Sequence, residues 1–183
     1  MIRKTTKEIL TESFIELAQH KPVNKITVAD ITSNCGMTPP TFYRYFRDKY
    51  DLIAWTYVRE AEKFLGKIGR DGYTWRDTVQ DGMRYFAQNR RFALNALKHT
   101  TGRDSFIVQK TRLDLEYITG IIRKKLMTET IPDELLVTVK LYLYGTEQYL
   151  CEWLIDGMPL PWEEVASLML ACVPEALKLY LFD

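Results

Sequence analysis

Apolar residues recur at the spacing of an α-helix along almost the whole chain. Leu10, Phe14, Leu17 and Ala18, for example, follow the i, i+4, i+7, i+8 pattern of an amphipathic helix. Similar patterns follow one another towards the C-terminus, where Pro174 should kink or split the last helix because proline lacks a backbone donor. No segment shows a convincing strand pattern. The sequence therefore predicts an all-α fold of about nine helices, with long ones over residues 104–127 and 132–156.

Length and composition are those of an ordinary globular protein. The 183 residues suffice for one or two small domains with a sizeable core, and 46% of them are hydrophobic. No run reaches the roughly 20 apolar residues that a membrane span needs, and the N-terminus lacks a signal-peptide pattern. Cys35, Cys151 and Cys172 have no metal-like spacing. We therefore expect a cytoplasmic protein without a membrane segment, a metal or another cofactor.

The formal net charge of +1 is unevenly distributed along the chain. Residues 1–50 contain eight bases and five acids, which gives this segment +3 and leaves −2 for the remainder. A locally basic surface suits a nucleic acid. Random scatter of surface charge explains so small an excess equally well, so the charge alone does not decide between the two.

The stretch Ile26–Lys49 has the organisation of a helix-turn-helix. Thr27 is placed to cap a short helix, and Asp30 three residues later completes a weaker variant of the capping box. Gly36 stands where a helix ends in a left-handed residue, and a second short helix is predicted from about Pro39 to Phe46. In such a unit the first helix holds the second at the angle that lets it enter the DNA major groove.

A helical wheel separates two faces on this second helix. Phe42 and Phe46 point to one side, within about 40° of each other at roughly 100° per residue, and we expect them to be buried. The side chains that point elsewhere are Pro40, Thr41, Tyr43 and Arg44. Their hydroxyls and guanidinium suit bases and phosphates. Lys49, at the start of the next helix, adds a charge beside backbone N–H groups that attract phosphate.

These residues resemble the N-terminal domain of TetR-type regulators over about the first 55 residues. The matching positions are Ile26, Thr27, Val28, Ile31, Gly36, Met37, Thr38, Thr41, Tyr43, Tyr45, Phe46, Lys49 and Leu52. The resemblance implies a helix-turn-helix head of three helices over residues 1–50 and a helical sensing and dimerisation domain over residues 51–183. It also implies phosphate contacts from Thr27, Tyr43 and Lys49, and base or near-base contacts from Thr38, Thr41 and Arg44.

Two features leave the individual DNA contacts open. Pro39 and Pro40 depart from the family pattern and remove two backbone donors from the end of the recognition helix that faces DNA. Which residues reach base edges is therefore undecided. Tyr43 and Tyr45 could alternatively pack within the head, and Arg44 could be a solvated surface charge.

The helix over residues 132–156 is apolar on two sides, which is typical of a helix buried between neighbours. We expect it to pair with the last helix and with their copies across a two-fold axis, as a four-helix interface. The alternative is an intramolecular core. The residues predicted to form the dimer interface are Tyr142, Thr146, Tyr149, Trp153, Leu168, Met169, Cys172 and Ala176.

Aromatic residues in the middle of the chain are candidates for a ligand pocket, although aromatics at helical spacing are more often core residues. The candidates are Tyr85, Phe86, Phe92, Phe106 and Tyr117. The segments over residues 73–97 and 153–161 are similar to the TetR-type subgroup that includes the activator of dihydroxyacetone kinase operons. That likeness implies a partner protein as an alternative to a small-molecule effector, and activation as an alternative to repression.

The sequence therefore predicts a dimeric regulator of transcription that binds a pseudo-palindromic operator in double-stranded DNA. The favoured form is a repressor released by an effector bound to the C-terminal domain. The alternatives are an activator, or a helical interaction module controlled by a partner protein. An enzyme is disfavoured, because the chain has only two histidines and contains no metalloprotease, serine-hydrolase or P-loop motif.

Overall fold

The computed structural model describes residues 4–100, 102 and 105–182, and the side chains of all of these except 57, 58, 60 and 61. Ten α-helices and one 3₁₀ turn account for nearly all of the secondary structure in the described residues, and no strand occurs there. Nine of the helices have seven residues or more, as the predicted all-α fold requires. Within the described residues, no helix combines the length and apolarity that a bilayer crossing needs.

The helices follow one another with short connections. Their bounds are α1 Thr6–Ala18, α2 Val28–Asn34, α3 Pro39–Tyr43, α4 Lys49–Leu65, α5 Trp75–Gln88, α6 Arg90–His99, α7 Phe106–Leu126, α8 Asp133–Ile155, α9 Trp162–Ala171 and α10 Glu175–Leu181, and the 3₁₀ turn Val23–Lys25 lies between α1 and α2. As predicted, Pro174 splits the last helical stretch, since it stands as the N-cap of α10. Asp104, the predicted start of the long middle helix, lies outside the described residues.

The chain divides into two compact units. The first, which we call the head unit, comprises Met1–Tyr57 and Arg90–Gln109. The second, the body unit, comprises Val58–Asn89 and Lys110–Asp183. The head unit therefore takes α6 from the middle of the chain in addition to the N-terminal helices.

The head unit is built around a small apolar core. Its fully buried side chains are Leu10, Phe14, Val23, Ile26, Ile31, Phe42 and Leu52. The helix ends explain the chain path: Thr5 forms a capping box with Glu8 at the start of α1, and Thr27 forms one with Asp30 at the start of α2. The capping box at Thr27 was expected from the sequence. The 3₁₀ turn and α1 both pack against α6.

The body unit is a helical bundle in which α5 packs along α9 and α10 packs on α8. Its interior contains large apolar side chains from α5, α7, α8 and α9, among them Trp75, Phe86, Ile118, Ile122, Leu143, Trp153, Leu154 and Val165. Thr74 starts α5 with a capping box closed by Asp77. Burial of these side chains is the main source of the body unit's stability.

Candidate nucleic-acid interface

A tight left-handed turn joins α2 to α3. Gly36 has a φ of +68°, which glycine adopts without strain. The N–H of Met37 donates to the carbonyl of Thr32 at 2.7 Å, and the N–H of Gly36 donates to the carbonyl of Ser33 at 3.3 Å. This pair of bonds is a Schellman motif, which satisfies the last carbonyls of α2. The turn therefore sets the direction in which α3 leaves α2.

The recognition helix α3 has the two faces that the wheel predicts. Phe42 is fully buried and Phe46 is 3% exposed, and their ring centroids lie 5.6 Å apart. On the outer side, Tyr43 is 59% exposed and its ring stacks edge-to-face on Phe42. Arg44 is exposed as well and lies over the ring of Tyr45. The aromatic inner face holds α3 in place, so the outer face is free to meet another molecule.

The first turn of α3 starts at Pro39, with Thr38 as an extended N-cap. The two prolines occupy the first two helical positions and carry no N–H group, so Thr41 supplies the first backbone donor, which bonds the carbonyl of Thr38. The hydroxyls of Thr38 and Thr41 lie 3.2 Å apart. Thr38 and Pro40 are exposed and Thr41 is half-buried. Any base contact from this end of α3 must therefore come from side chains.

Lys49 has a different environment from the one that the sequence suggests. Its ammonium donates to the carbonyls of Val23, Asn24 and Ile26 at 2.9, 3.0 and 2.8 Å. An ammonium has three donors, and all three are occupied here. Burial, with a smaller contribution from the charge of Lys21, lowers the pKa of this ammonium. In this geometry Lys49 anchors the 3₁₀ turn to the start of α4.

Thr27 remains at the surface beside the 3₁₀ turn. Its hydroxyl accepts the N–H of Asp30 at 3.0 Å, while the carboxylate of Asp30 accepts the N–H of Thr27 and pairs with Lys21 at 2.8 Å. These hydrogen bonds, of which the one from Lys21 is the strongest, lower the pKa of Asp30 to about 2. The Thr27 hydroxyl thus takes part in the same network of hydrogen bonds as the Asp30 carboxylate.

Asn95 of α6 is a residue of the head unit that the sequence analysis missed. Its side-chain oxygen accepts the N–H of Val23 at 2.7 Å, and its amide donates to the carbonyls of Ala18 and Lys21, both at 2.9 Å. Asn95 thus holds the connection between α1 and α2 from one side while Lys49 holds it from the other. The sequence feature that could have indicated this role is an amide side chain on the same face of the predicted helix as the apolar residues Phe92 and Ala96.

Replacing Asn95 with alanine is expected to lower the free energy of unfolding by about 2–3 kcal/mol, since three hydrogen bonds of about 0.5–1.5 kcal/mol each are lost. Urea denaturation measures this loss. Asn24→Ala is the matched control, because it removes an exposed amide from the same connection. Equal stability of the two variants would contradict the role given to Asn95.

The body unit contains a buried charged cluster, formed by Lys110, Asp114 and Glu147. The Lys110 ammonium donates to Asp114 at 2.7 Å and also contacts the Glu147 carboxylate, and each side chain is less than a tenth exposed. The second oxygen of Glu147 is buried without a hydrogen-bond partner among the described residues. Burial raises the pKa of Glu147 to about 8, against the opposing effect of Lys110 and with the aid of Asp114. None of these three residues stands out in the sequence as a functional residue.

The predicted pocket aromatics do not fall in one unit. Phe92 and Phe106 belong to the head unit, where Phe92 packs edge-to-face on both Phe14 and Phe106. Tyr85, Phe86 and Tyr117 belong to the body unit. There Phe86 is buried, with the Lys110 ammonium 5.8 Å from its ring centroid. Burial raises the pKa of the half-buried Tyr117.

The residues predicted at a dimer interface divide by exposure. Tyr142, Trp153 and Met169 are buried within their own chain, where the indole of Trp153 donates to the carbonyl of Leu160 at 2.9 Å. Thr146 is half-buried, and the exposed members are Tyr149, Leu168, Cys172 and Ala176. Other large apolar side chains are also exposed on these helices, namely Val137, Leu141, Tyr144, Ile155 and Leu179.

An apolar groove of about 460 Å³ runs between α8 and α9 among these exposed side chains. Its lining consists of Leu141, Tyr142, Gly145, Thr146, Tyr149, Leu168, Met169 and Cys172. Six of these eight residues are among those predicted for the interface, and the other two are Leu141, which is 68% exposed, and Gly145. An apolar surface of this kind is typical of a protein–protein contact.

Two family models match the chain. The model described as "Bacterial regulatory proteins, tetR family" matches residues 10–54, which contain the helix-turn-helix. The model described as "Transcriptional regulator C-terminal region" matches residues 73–174, more than half of the chain. The two matches together cover the outer face of α3 and most of the body unit.

A curated relative is the HTH-type dhaKLM operon transcriptional activator DhaS of Lactococcus lactis subsp. lactis (strain IL1403), which is 26% identical over 87 residues. The match covers 48% of this chain and 46% of the relative, so it spans about half of the relative's length.

Solved structures share the fold over nearly the whole chain. The dihydroxyacetone kinase operon activator DhaS aligns with a TM-score of 0.65 at 20% identity, over 96% of this chain and 98% of that one. A TetR transcriptional regulator from Rhodococcus sp. RHA1 aligns with a TM-score of 0.65 at 16% identity, over 94% and 93% of the two chains. At these identities the likeness shows a common fold.

Proposed function

The chain belongs to the TetR family of bacterial regulatory proteins, which are DNA-binding transcription regulators and not enzymes, and on that premise we propose that it is a homodimeric repressor that an effector releases from its operator. The outward face of α3 is the observation that carries the DNA-reading part of this proposal. Tyr43 and Arg44 project from a helix whose opposite face is locked by Phe42. A helix presented in this way fits the major groove.

The contacts with DNA divide by chemistry. Arg44 has a guanidinium that can bond a guanine edge bidentately, and Thr38 and Thr41 offer hydroxyl and methyl groups near the helix start. The phenol of Tyr43 and the hydroxyl of Thr27 suit phosphates. Pro40 adds an apolar contact and no donor. We assign Lys49 an indirect role, since its bonds to the 3₁₀ turn position Thr27 and α2.

Selection of the purified protein against a random duplex library, followed by sequencing of the bound pool, tests this proposal. We expect enrichment of an inverted repeat whose half-sites lie about one helical turn, roughly 34–36 Å, apart. Failure to enrich any motif at moderate salt would overturn the proposal of an unassisted DNA reader.

Arg44→Ala is expected to weaken binding to the selected operator about 10- to 100-fold, as loss of a bidentate contact costs about 1–3 kcal/mol. It should also relax the preference for one base at one position of the operator. Loss of a phosphate contact would instead weaken binding to all sequences alike and lower the slope of log affinity against log salt concentration by about 1. Fluorescence anisotropy at several salt concentrations measures both quantities.

The control for this prediction is Arg112→Ala, which removes an exposed arginine of the body unit. We expect it to leave affinity and salt dependence unchanged. Tyr43→Phe removes only the phenolic oxygen and keeps the ring on Phe42, so a smaller, sequence-independent loss is expected. Equal affinities for Arg44→Ala and Arg112→Ala would refute the assignment of the α3 face.

The dimer part of the proposal is supported by the exposed apolar face on α8, α9 and α10. A two-fold axis through this face would present two copies of α3 to the two half-sites of a pseudo-palindrome. An effector that alters the separation of the two copies would then release the operator.

The effector part is supported by the cluster of Lys110, Asp114 and Glu147 in the body unit. A buried ionic cluster adds little to stability compared with apolar residues of similar size, and the free oxygen of Glu147 offers a polar anchor. Groups of this kind often mark binding sites. The body unit is therefore the proposed sensing part of the protein.

Activation of transcription is the second candidate, because the L. lactis relative is described as a transcriptional activator. A reporter gene placed behind the selected operator decides between the two. Repression requires higher expression when the regulator is deleted, and activation requires lower expression. A partner protein as effector would be identified by its co-purification with the tagged regulator and by its effect on the same reporter.

A further inference from the structure

The head unit has an open cleft between α6 and the connection that follows α1. Its volume is about 250 Å³. The lining residues are Ala18, Gln19, His20, Lys21, Pro22, Arg91, Leu94, Asn95, Lys98 and His99. We call this the α6 cleft. It lies entirely within the head unit, and none of its lining residues belongs to α3.

The α6 cleft is basic. Lys21, Arg91 and Lys98 carry full positive charges there, and none of the lining residues is acidic. The chain's only two histidines, His20 and His99, line the same cleft. Lys21 is paired with Asp30 outside the cleft, at 2.8 Å. In the part of the chain that the structure describes, Arg91 and Lys98 have no ion-pair partner.

The placement of these charges on α6 is unfavourable without a counter-ion. On α6 the cleft is lined by Arg91 and, seven and eight residues later, by Lys98 and His99. At this spacing the three side chains share one helix face, which opposes Lys21 across the cleft. Arg91 stands in the first turn of α6, where the helix dipole disfavours a positive charge. An anion in the cleft would relieve both repulsions.

We propose that the α6 cleft binds the phosphate group of a small metabolite, with Arg91 and Lys98 as its charged ligands and the two histidines as hydrogen-bond donors. A guanidinium and an ammonium on one wall of a cleft, with the Lys21 ammonium facing them, suit a tetrahedral oxyanion. The volume leaves room for a phosphate with a short carbon chain. The phosphates of a DNA backbone have the same chemistry. However, the cleft lies beside α6, which packs against α1 and the 3₁₀ turn, and not beside α3, which packs against α2.

Occupancy of the α6 cleft would act on the DNA-reading head through Asn95. Asn95 lines the cleft and at the same time bonds Ala18, Lys21 and Val23, which lead into α2. A bound phosphate bridging α6 and Lys21 would strengthen this clamp. This regulatory consequence rests on the proposed DNA-binding function; phosphate binding itself does not.

Proton NMR of the imidazole C2 resonances tests the proposal directly, because only His20 and His99 contribute. Inorganic phosphate and glycerol 3-phosphate are titrated into the full chain at constant ionic strength, and His99→Gln assigns the two signals. Saturable shifts of both resonances are expected. The double variant Arg91→Gln/Lys98→Gln should weaken phosphate binding at least tenfold, while Arg112→Gln/Lys124→Gln, with the same charge change in the body unit, should not.

Two results would overturn the proposal. Equal, non-saturating shifts in both double variants, reproduced by chloride, would show that the cleft responds only to screening. The second result would be saturable shifts with operator DNA but not with the small phosphates, together with a weaker salt dependence of DNA affinity in Arg91→Gln/Lys98→Gln. The cleft would then be a contact to the DNA backbone. Because the NMR readout needs no operator, failure of the DNA-binding proposal leaves this test intact.

Discussion

Replacing Lys110 with methionine is expected to lower the free energy of unfolding by about 3–5 kcal/mol, which is the typical effect of removing one partner from a buried ion pair. Lys110 contacts the carboxyl groups of Asp114 and Glu147 at the same time, and all three side chains are less than a tenth exposed. Methionine fills a similar volume but leaves two facing carboxyl groups without their cation. Urea denaturation followed by circular dichroism measures the change.

The pH dependence of this loss identifies its cause. Burial already raises the pKa of Glu147 to about 8 in the presence of Lys110. An acid whose pKa is raised by folding keeps its proton in the folded state, so its destabilising effect grows as the pH rises above the unfolded value. The loss in Lys110→Met should therefore be larger at pH 8 than at pH 5, where the Glu147 carboxyl holds its proton.

Two further variants serve as controls for the buried cluster. Lys124→Met removes an exposed lysine from the same helix and should change stability little. The triple variant Lys110→Met/Asp114→Leu/Glu147→Leu should recover most of the loss, because apolar side chains of similar volume commonly replace a buried ionic cluster without a stability cost. A Lys110→Met variant within 1 kcal/mol of the parent would show that the cluster is solvated.

The parts of the fold that local chemistry determines were predictable from the sequence. The cap at Thr27, the left-handed Gly36 and the spacing of Phe42 and Phe46 all act within a few residues, so their pattern indicates the helix-turn-helix directly. The interruption at Pro174 was predictable for the same reason. Each of these features depends on a residue's own backbone or on the next helical turn.

The contacts that the sequence did not indicate join residues far apart in the chain. Asn95 bonds Val23 across 72 positions, and Lys110 contacts Glu147 across 37. Lys49 illustrates the same difficulty, since a lysine at a helix start suggests a phosphate contact until the carbonyls of the 3₁₀ turn are placed beside it. A helical wheel gives the direction of a side chain but not its partner.

Apolar periodicity in α8 predicted the faces of the helix but not which of them is buried. Two apolar stripes indicated two buried faces, and the structure separates them: Trp153 and Leu154 pack inside the body unit, whereas Leu141 and Tyr144 are exposed. The sequence could not say which stripe was internal, because both contain large apolar side chains. The exposed stripe, together with Leu168 of α9, is the face for which the dimer proposal makes its strongest prediction.

Leu141→Glu/Leu168→Glu is expected to weaken the dimer about a thousandfold or more. The two leucines are 68% and 48% exposed in the single chain, so the charges should not disturb the fold of one protomer. In a two-fold interface each substitution occurs twice, and juxtaposed like charges cost several kcal/mol. A loss of about 4 kcal/mol corresponds to a factor of about 1,000 in the dissociation constant. Sedimentation equilibrium measures the dissociation constant.

The matched control is Val108→Glu/Leu126→Glu, which places the same charges at exposed apolar positions of α7. This variant should sediment as the parent does, with twice the mass of one chain. The Leu141→Glu/Leu168→Glu protein should sediment as a folded monomer at micromolar concentration and lose the preference for an inverted repeat over a single half-site, because one α3 helix reads only one half. A parent that is itself monomeric, or a charged variant that stays dimeric, would place the two-fold axis elsewhere or remove it.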